Sequence, residues 1–265
     1  MLLHIKHITK YAYDQPVDYA LQKVKLRPLG SPMQDIEDWV LTIDGGQVEV
    51  GYVDHYGNHV DLVSAAPGTR QITVTAEGHV TTHDRAGVLG RFYGRAPLWH
   101  WEQTTALTTA GPAIEALAKT VVNYGSPLAG LHALSAEILD KVGYELGHTS
   151  TTTTAEDAAQ IGNGVCQDHA NIFVAAARHA GFPARYVSGY LLMNDRIDQD
   201  ASHAWAEAHI PDLGWVGFDV SNGICPDEHY VRIAIGRDAQ DATPLAGMRT
   251  GHSVESMIVN LQVQQ

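Results

Sequence analysis

Cys166 lies in Gly162-Asn163-Gly164-Val165-Cys166-Gln167-Asp168, a flexible loop that runs into an apolar helical stretch carrying Ile172, Phe173, Ala176, Ala177 and Ala180. Gly181 and Pro183 end that stretch. The thiol is therefore expected at a helix N-terminus. Unpaired backbone N–H groups and the helix dipole favour an anion there, so a thiolate gains stability. Its pKa falls from about 8.5 when an imidazolium is also near. The same N–H groups can receive the oxyanion of a tetrahedral acyl intermediate. A cysteine before a helix is by itself more often an inert buried thiol, so the reading depends on a partner base.

Residues 202–210 supply one. They alternate cleanly and put His203, Trp205, Glu207 and His209 on one strand face; Trp215, Gly217 and Asp219 share a face of the next strand. Pro211-Asp212-Leu213-Gly214 reads as the turn between them. A 211–213 loop pairs residue 210 with 214 and leaves His203 and Asp219 as same-face diagonal neighbours, about 7 to 8 Å apart at Cα. A two-residue loop would place them on opposite faces unless a bulge intervened. Packing the Cys166 helix across their common face would align thiolate, imidazole and carboxylate, an activated nucleophile with an oriented base.

Other candidates are weaker. His4 and His7, His55 and His59, and His79 and His83 have ligand-like spacing, but positions three or four apart on a strand do not converge as on a helix, and these read as structural or surface histidines. Cys225 reads as a spare thiol, because a bridge to Cys166 would extinguish the nucleophile. Ser188 lacks a Gly-x-Ser-x-Gly elbow. Gln167, beside the nucleophile, is a candidate oxyanion or substrate contact. Trp205 and Trp215 either wall a groove for the acyl donor or simply pack, and both readings stay open. Thiol acyl transfer needs no metal or other cofactor, and none is expected.

The elements that must hold these groups fall into two regions. From residue 1 to about 83 apolar positions recur with period two, as in Ile5, His7, Thr9, Tyr11 and Tyr13, and again in Val48, Val50 and Tyr52. Turn signals between them suit five or six strands of an antiparallel sandwich or barrel. Residues 1–92 are thus expected to form an all-β domain, with a boundary in the Gly-rich stretch 87–97. In 93–265 the period becomes helical. Ile114, Leu117, Ala118, Val121 and Val122 follow Pro112, and Leu131, Leu134, Ile138 and Val142 follow Ser126-Pro127. The tract 149–154 reads as a surface loop leading into Thr153-x-x-Glu156, a capping box for a short helix at about 154–160.

Composition narrows the partners. With 45% hydrophobic and 18% charged residues in 265, the chain is an ordinary folded protein with room for a core. A net charge of −13 repels phosphate backbones and anionic lipid, so neither nucleic acid nor a membrane is an expected partner. The same excess predicts cationic partners, Lys-rich polypeptides among them. The opening MLLHIKHITKYAYD lacks the apolar run of a signal peptide, and only two cysteines are present, so a cytoplasmic location is expected.

Four ordered motifs resemble the transglutaminase-like superfamily, in its bacterial branch of transglutaminase-like enzymes and cysteine proteases. They are Gly-Val-Cys-Gln-Asp at 164–168, Gly-Phe-Pro-Ala-Arg-Tyr-Val-Ser-Gly-Tyr at 181–190, Ser202-His203-Ala204-Trp205, and Gly214-Trp215-Val216-Gly217-Phe218-Asp219. The likeness extends to Tyr11-x-Tyr13-Asp14-x-Pro16-Val17 with Leu26-Arg27-Pro28, and to Gly236-Arg237-Asp238 with Asp241 and Pro244. It implies Cys166 as nucleophile, His203 as base and acid, and Asp219 as the group that orients His203. The fold it implies is α+β, a papain-like core of helices on an antiparallel sheet preceded by the β-domain. The implied activity is cysteine-dependent acyl transfer or hydrolysis of a peptide or protein amide through a thioester. The alternatives are crosslinking of Gln to an amine, and a non-catalytic peptide-binding module on the same fold. Two departures bear on pocket shape: Asp219-Val220-Ser221-Asn222 stands where the branch has Asp-Pro-Thr-Asn, and His169 and Asn171 stand where it has an aromatic and a His.

Overall fold

The computed structural model describes residues 1–265 except 18, 92–94, 194, 195, 200 and 251–253. The N-terminal region contributes β1 (Leu2–Tyr13), β2 (Tyr19–Val24), β3 (Gln34–Asp44), β4 (Gly46–Val53), β5 (His59–Ala65) and β6 (Gln71–Thr82). They divide between two antiparallel sheets whose facing sides enclose a core of Tyr11, Val24, Val63, Ile72 and Val74. The period-two reading of β1 holds, with Ile5, His7, Thr9, Tyr11 and Tyr13 all buried. Val48, Val50 and Tyr52 do form a strand but remain exposed: β4 is an edge strand, and a bulge between Val48 and Val50 breaks the alternation.

The second region runs β7 (Val88–Gly90), α1 (Pro112–Val122), α2 (Pro127–Lys141), β8 (Gly143–Tyr144), α3 (Ala155–Ile161), β9 (Asn163–Gly164), α4 (Cys166–His179), β10 (Ala184–Leu191), β11 (Asp198–Gln199), β12 (His203–Ile210), β13 (Gly214–Phe218) and β14 (Tyr230–Gly236). Its main sheet has the order β14-β10-β12-β13-β7 and is antiparallel. Helices cover one face of it, where Ala206, Ala208 and Val216 meet α1, α2 and α4. The N-terminal region covers the other, where Met33 and Tyr56 meet Val187, Trp205, Trp215 and Ile235. This is an α+β papain-like fold. The central α4 is enclosed on all sides, with every residue from Asp168 to Arg178 buried. Among the described residues, no helix is long and apolar enough to cross a membrane.

The expected division at 92/93 falls on residues 92–94, outside the described residues. It also left the C-terminal strands with the core. In the structure β15 (Leu245–Thr250) pairs with β2, and β16 (Glu255–Gln264) pairs with β1 along ten positions, so the end of the chain completes both N-terminal sheets.

Candidate active site

Cys166 is set in place by local contacts. Val165 is the extended residue before α4, and Cys166 is the first residue of the helix, as its Gly-rich approach implies. Asp168 accepts the Val165 N–H at 2.8 Å and the Thr149 hydroxyl at 2.6 Å through one carboxylate oxygen. The threonine tract read as a surface loop therefore anchors the turn that presents Cys166. β8 pairs in parallel with β9, Tyr144 opposite Gly164, and Glu145 N–H reaches Gly164 O at 2.8 Å. This bridge sets Tyr144 at the rim of the cleft that Cys166 borders. Burial, then the Cys166 sulfur, push the Tyr144 hydroxyl pKa up. Sequence reasoning missed Tyr144, because a parallel bridge of two residues leaves no periodicity to read.

The hairpin register matches its expectation. Ile210 pairs with Gly214 and Ala206 with Phe218, so His203 and Asp219 are offset neighbours at the end of the sheet. His203 Nε2 donates to Asp219 Oδ2 at 2.6 Å. That carboxylate oxygen also accepts from the Tyr230 hydroxyl and from Asn222 Nδ2, each at 2.7 Å. Burial opposes ionisation of Asp219, but these three donors hold its carboxyl below the usual range. With Nε2 committed, Nδ1 is the His203 nitrogen left for Cys166. Burial alone would lower the His203 pKa; hydrogen bonds to Asp219 and to the Cys166 sulfur override it and raise it to about 10.

One expectation fails in an instructive way. The Cys166 helix was expected to pack across the face that carries His203, Trp205 and Glu207. It packs on the opposite face, against Ala204, Ala206 and Ala208, where small side chains admit a helix. His203 still lies beside Cys166 because it is the first residue of β12, at the sheet's end. Trp205 and Trp215, offered as substrate-binding residues, sit 1% exposed on the side of the N-terminal region and do not line the cleft. They belong to a layer in which Trp215 stacks under the Arg185 guanidinium at 3.9 Å and Arg185 donates to Glu207 at 2.6 Å. Glu207 is thereby engaged away from the site.

Gln167 does face the cleft, a space of about 490 Å³ also bordered by Tyr144, Cys166, Tyr186, Ser188 and His203. Its described lining contains no carboxylate, and its basic side chains are His203 and Arg196. The two departures from the family pattern touch this site from beneath. His169 is buried and donates through Nε2 to Val142 O at 2.9 Å, so its Nδ1 accepts the Ser221 hydroxyl at 2.9 Å. The residue after Gln-Asp and the serine of the Asp219 turn are thus tied together. Asn171 Oδ1 accepts the Ala239 N–H at 3.2 Å behind the cleft. Cys225 is a free, half-buried thiol, as is Cys166, and burial raises its pKa. Among the described residues, no three His, Cys, Asp or Glu side chains cluster as metal ligands do.

The fold and the thiol–imidazole–carboxylate arrangement define a protein of the papain-like class. Residues 115–220 match the transglutaminase-like superfamily core and residues 3–81 match the bacterial transglutaminase-like N-terminal region; the chain belongs to the transglutaminase-like superfamily. It is similar to the uncharacterized protein ML0607 of Mycobacterium leprae, 26% identical with 98% of each chain covered. It is also similar to the uncharacterized protein Rv2569c of Mycobacterium tuberculosis, 28% identical over 96% of this chain and 89% of that one. The crystal structure of a putative cysteine protease from Cytophaga hutchinsonii shares the fold, with a TM-score of 0.77 at 22% identity over 100% of this chain and 92% of that chain.

Proposed function

We propose that the protein is a cysteine-dependent amide hydrolase that works through a thioester acyl-enzyme in the cytoplasm. The observation that carries the reading is His203, held at 2.6 Å by a buried, triply hydrogen-bonded Asp219 and turned toward a cysteine at a helix N-terminus. Its raised pKa keeps it protonated at neutral pH, which favours a thiolate–imidazolium pair. Cys166 Sγ attacks the amide carbon. The Cys166 N–H at the start of α4 receives the oxyanion, with Gln167 and Tyr144 bordering the same cleft. As the C–N bond breaks, His203 Nδ1 gives its proton to the leaving amine. His203 then takes a proton from water, which attacks the thioester and returns the thiolate. All of these groups come from this chain.

Water is favoured over an amine as the group that resolves the acyl-enzyme. An amine must be held in near-attack geometry to compete with water at about 55 M. Trp205 and Trp215 are buried in the layer beneath and form no wall of the cleft for an amine to use. The overall charge of −13 suggested attraction of Lys-rich chains, but the described cleft lining presents no carboxylate to a lysine. The test is an incubation with a Gln-containing protein, a peptide panel and millimolar primary amine, read by intact mass. Cleaved or deamidated products that outweigh amine conjugates support the reading. Dominant conjugates establish a crosslinking transferase instead. No change in any substrate, with Cys166 alkylated no faster than Cys225, establishes a binding module.

A further inference from the structure

Beyond His203 the cleft continues into a second groove of about 620 Å³, and Met193 borders both spaces. The groove starts at the C-terminal end of β10 and runs over the residues that hold Asp219. Asn222 and Tyr230 form part of its wall and donate to Asp219 Oδ2 on their other side. Leu191, Leu192 and Ile224 make the remaining walls apolar, and the Ile224 side chain is 48% exposed. The polar side chains at its far end are tied together, because Asp227 Oδ1 accepts from His229 Nδ1 at 2.8 Å and from the His229 N–H at 2.9 Å.

Position fixes which half of a substrate such a groove meets. In the proposed reaction the acyl carbon bonds to Cys166 and the oxyanion lies at the start of α4. The proton for the departing nitrogen comes from His203, so that nitrogen and whatever it carries lie on the His203 side. A chain leaving in that direction passes Met193 and enters the groove. A primary carboxamide would depart as ammonia and leave the groove empty, whereas a peptide bond places a whole residue in it.

We propose that the groove is the leaving-group subsite, and that it selects a peptide bond followed by an uncharged, apolar residue. This rests on the hydrolase reading above and narrows its substrate class to secondary amides of polypeptides. An apolar side chain gains by leaving water against Leu191, Leu192, Met193 and Ile224. A charged side chain would lose hydration against these apolar walls, and the carboxylate among the described lining, Asp227, already accepts from His229.

The test uses mixtures of quenched hexapeptides, randomised on the acyl side, with Leu, Asp or Lys directly after the scissile amide, and the matching primary amides. Two readouts are taken on the full chain: cleavage, and slowing of Cys166 alkylation by iodoacetamide. The proposal expects the Leu mixture to be cleaved at least tenfold faster than the Asp or Lys mixtures, and faster than the primary amides lose ammonia. The variant Ile224→Lys, its fold checked by circular dichroism, should reverse the Leu-over-Asp preference. If no peptide is cleaved but Leu slows alkylation and Ile224→Lys exchanges Leu for Asp, the groove stands and the hydrolase reading falls. Equal treatment of the three mixtures by both proteins in both readouts overturns the groove, as does amine transfer onto the primary amides that outpaces peptide cleavage.

Discussion

His203 concentrates the chemistry of the site in one protonation equilibrium. Its pKa of about 10 lies above the ordinary 6.5, so the folded state holds the proton more tightly than the unfolded chain does. That linkage stabilises the fold fully below about pH 6.5 and is lost as pH rises through about 10. Turnover should follow the same proton: it should be level through the neutral range and fall as pH passes about 10, where the leaving amine loses its acid. Cys166 alkylation at pH 7 should outrun that of Cys225, whose thiol is raised by burial; stopped-flow labelling with mass readout checks it. The variant Asp219→Asn should fold yet lose about 10²- to 10⁴-fold in turnover, because the imidazole is no longer held in the productive tautomer; steady-state kinetics beside a circular dichroism spectrum measure it. The placement of His203 beside Asp219 was legible in sequence because a three-residue turn sets a register, and Cys166 at a helix start because a Gly-rich loop runs into an apolar helical stretch. Tyr144 and Thr149 were not, since each reaches the site through one contact between segments about 20 residues apart.

Helices α1 and α3 show how an element can be read correctly while its cap is misassigned. Thr153 and Glu156 have capping-box spacing, but the cap of α3 is Thr154, which accepts the Asp157 N–H at 3.1 Å. Glu156 serves a different helix. Its carboxylate accepts from the N–H groups of Gly111, Ala113 and Ile114 at 3.1, 2.9 and 3.0 Å, filling the N-terminus of α1 that Pro112 opens. Spacing within a segment cannot announce that its glutamate will be spent on a helix 45 residues earlier. The variant Glu156→Ala should cost about 1 to 2 kcal/mol in urea unfolding, with the m-value unchanged and Cys166 labelling unaffected. A harsher loss is expected in the main sheet. Glu207 lies fully buried between Arg185 and Arg232, whose guanidinium groups reach it at 2.6 and 2.9 Å. Glu207→Gln leaves two buried cations without their counter-charge, a change on the order of 3 to 5 kcal/mol that the same unfolding experiment would read. The alternation that put Glu207 on one face with His203 was right, yet it did not reveal that this face belongs to the N-terminal region.

Among the joints between the N-terminal region and the papain-like core, two are not written locally in the sequence. One is the exchange of the C-terminal strands, in which Leu261 and Val263 of β16 pack with Leu3 and Ile5 of β1 and with Val231 and Ile233 of the core sheet. The other is His7, a member of the β1 stripe that aims into that seam. Its Nδ1 meets the Tyr190 hydroxyl of β10 at 2.8 Å and its Nε2 meets Thr9 Oγ1 at 2.9 Å. Burial lowers its pKa to about 4, so the folded chain keeps it neutral while the unfolded chain takes up a proton near pH 6.5. Stability from this group is therefore present above about pH 6.5 and is lost as pH falls toward 4, by an amount on the order of 3 kcal/mol. The variant His7→Gln keeps polar contacts but cannot titrate. Its urea midpoint should be somewhat lower than that of the unaltered protein at pH 7.5, and the gap should close as pH falls to 4.5. A gap that stays constant across that range would mean that His7 contributes by shape alone and that the acid sensitivity of the seam lies elsewhere.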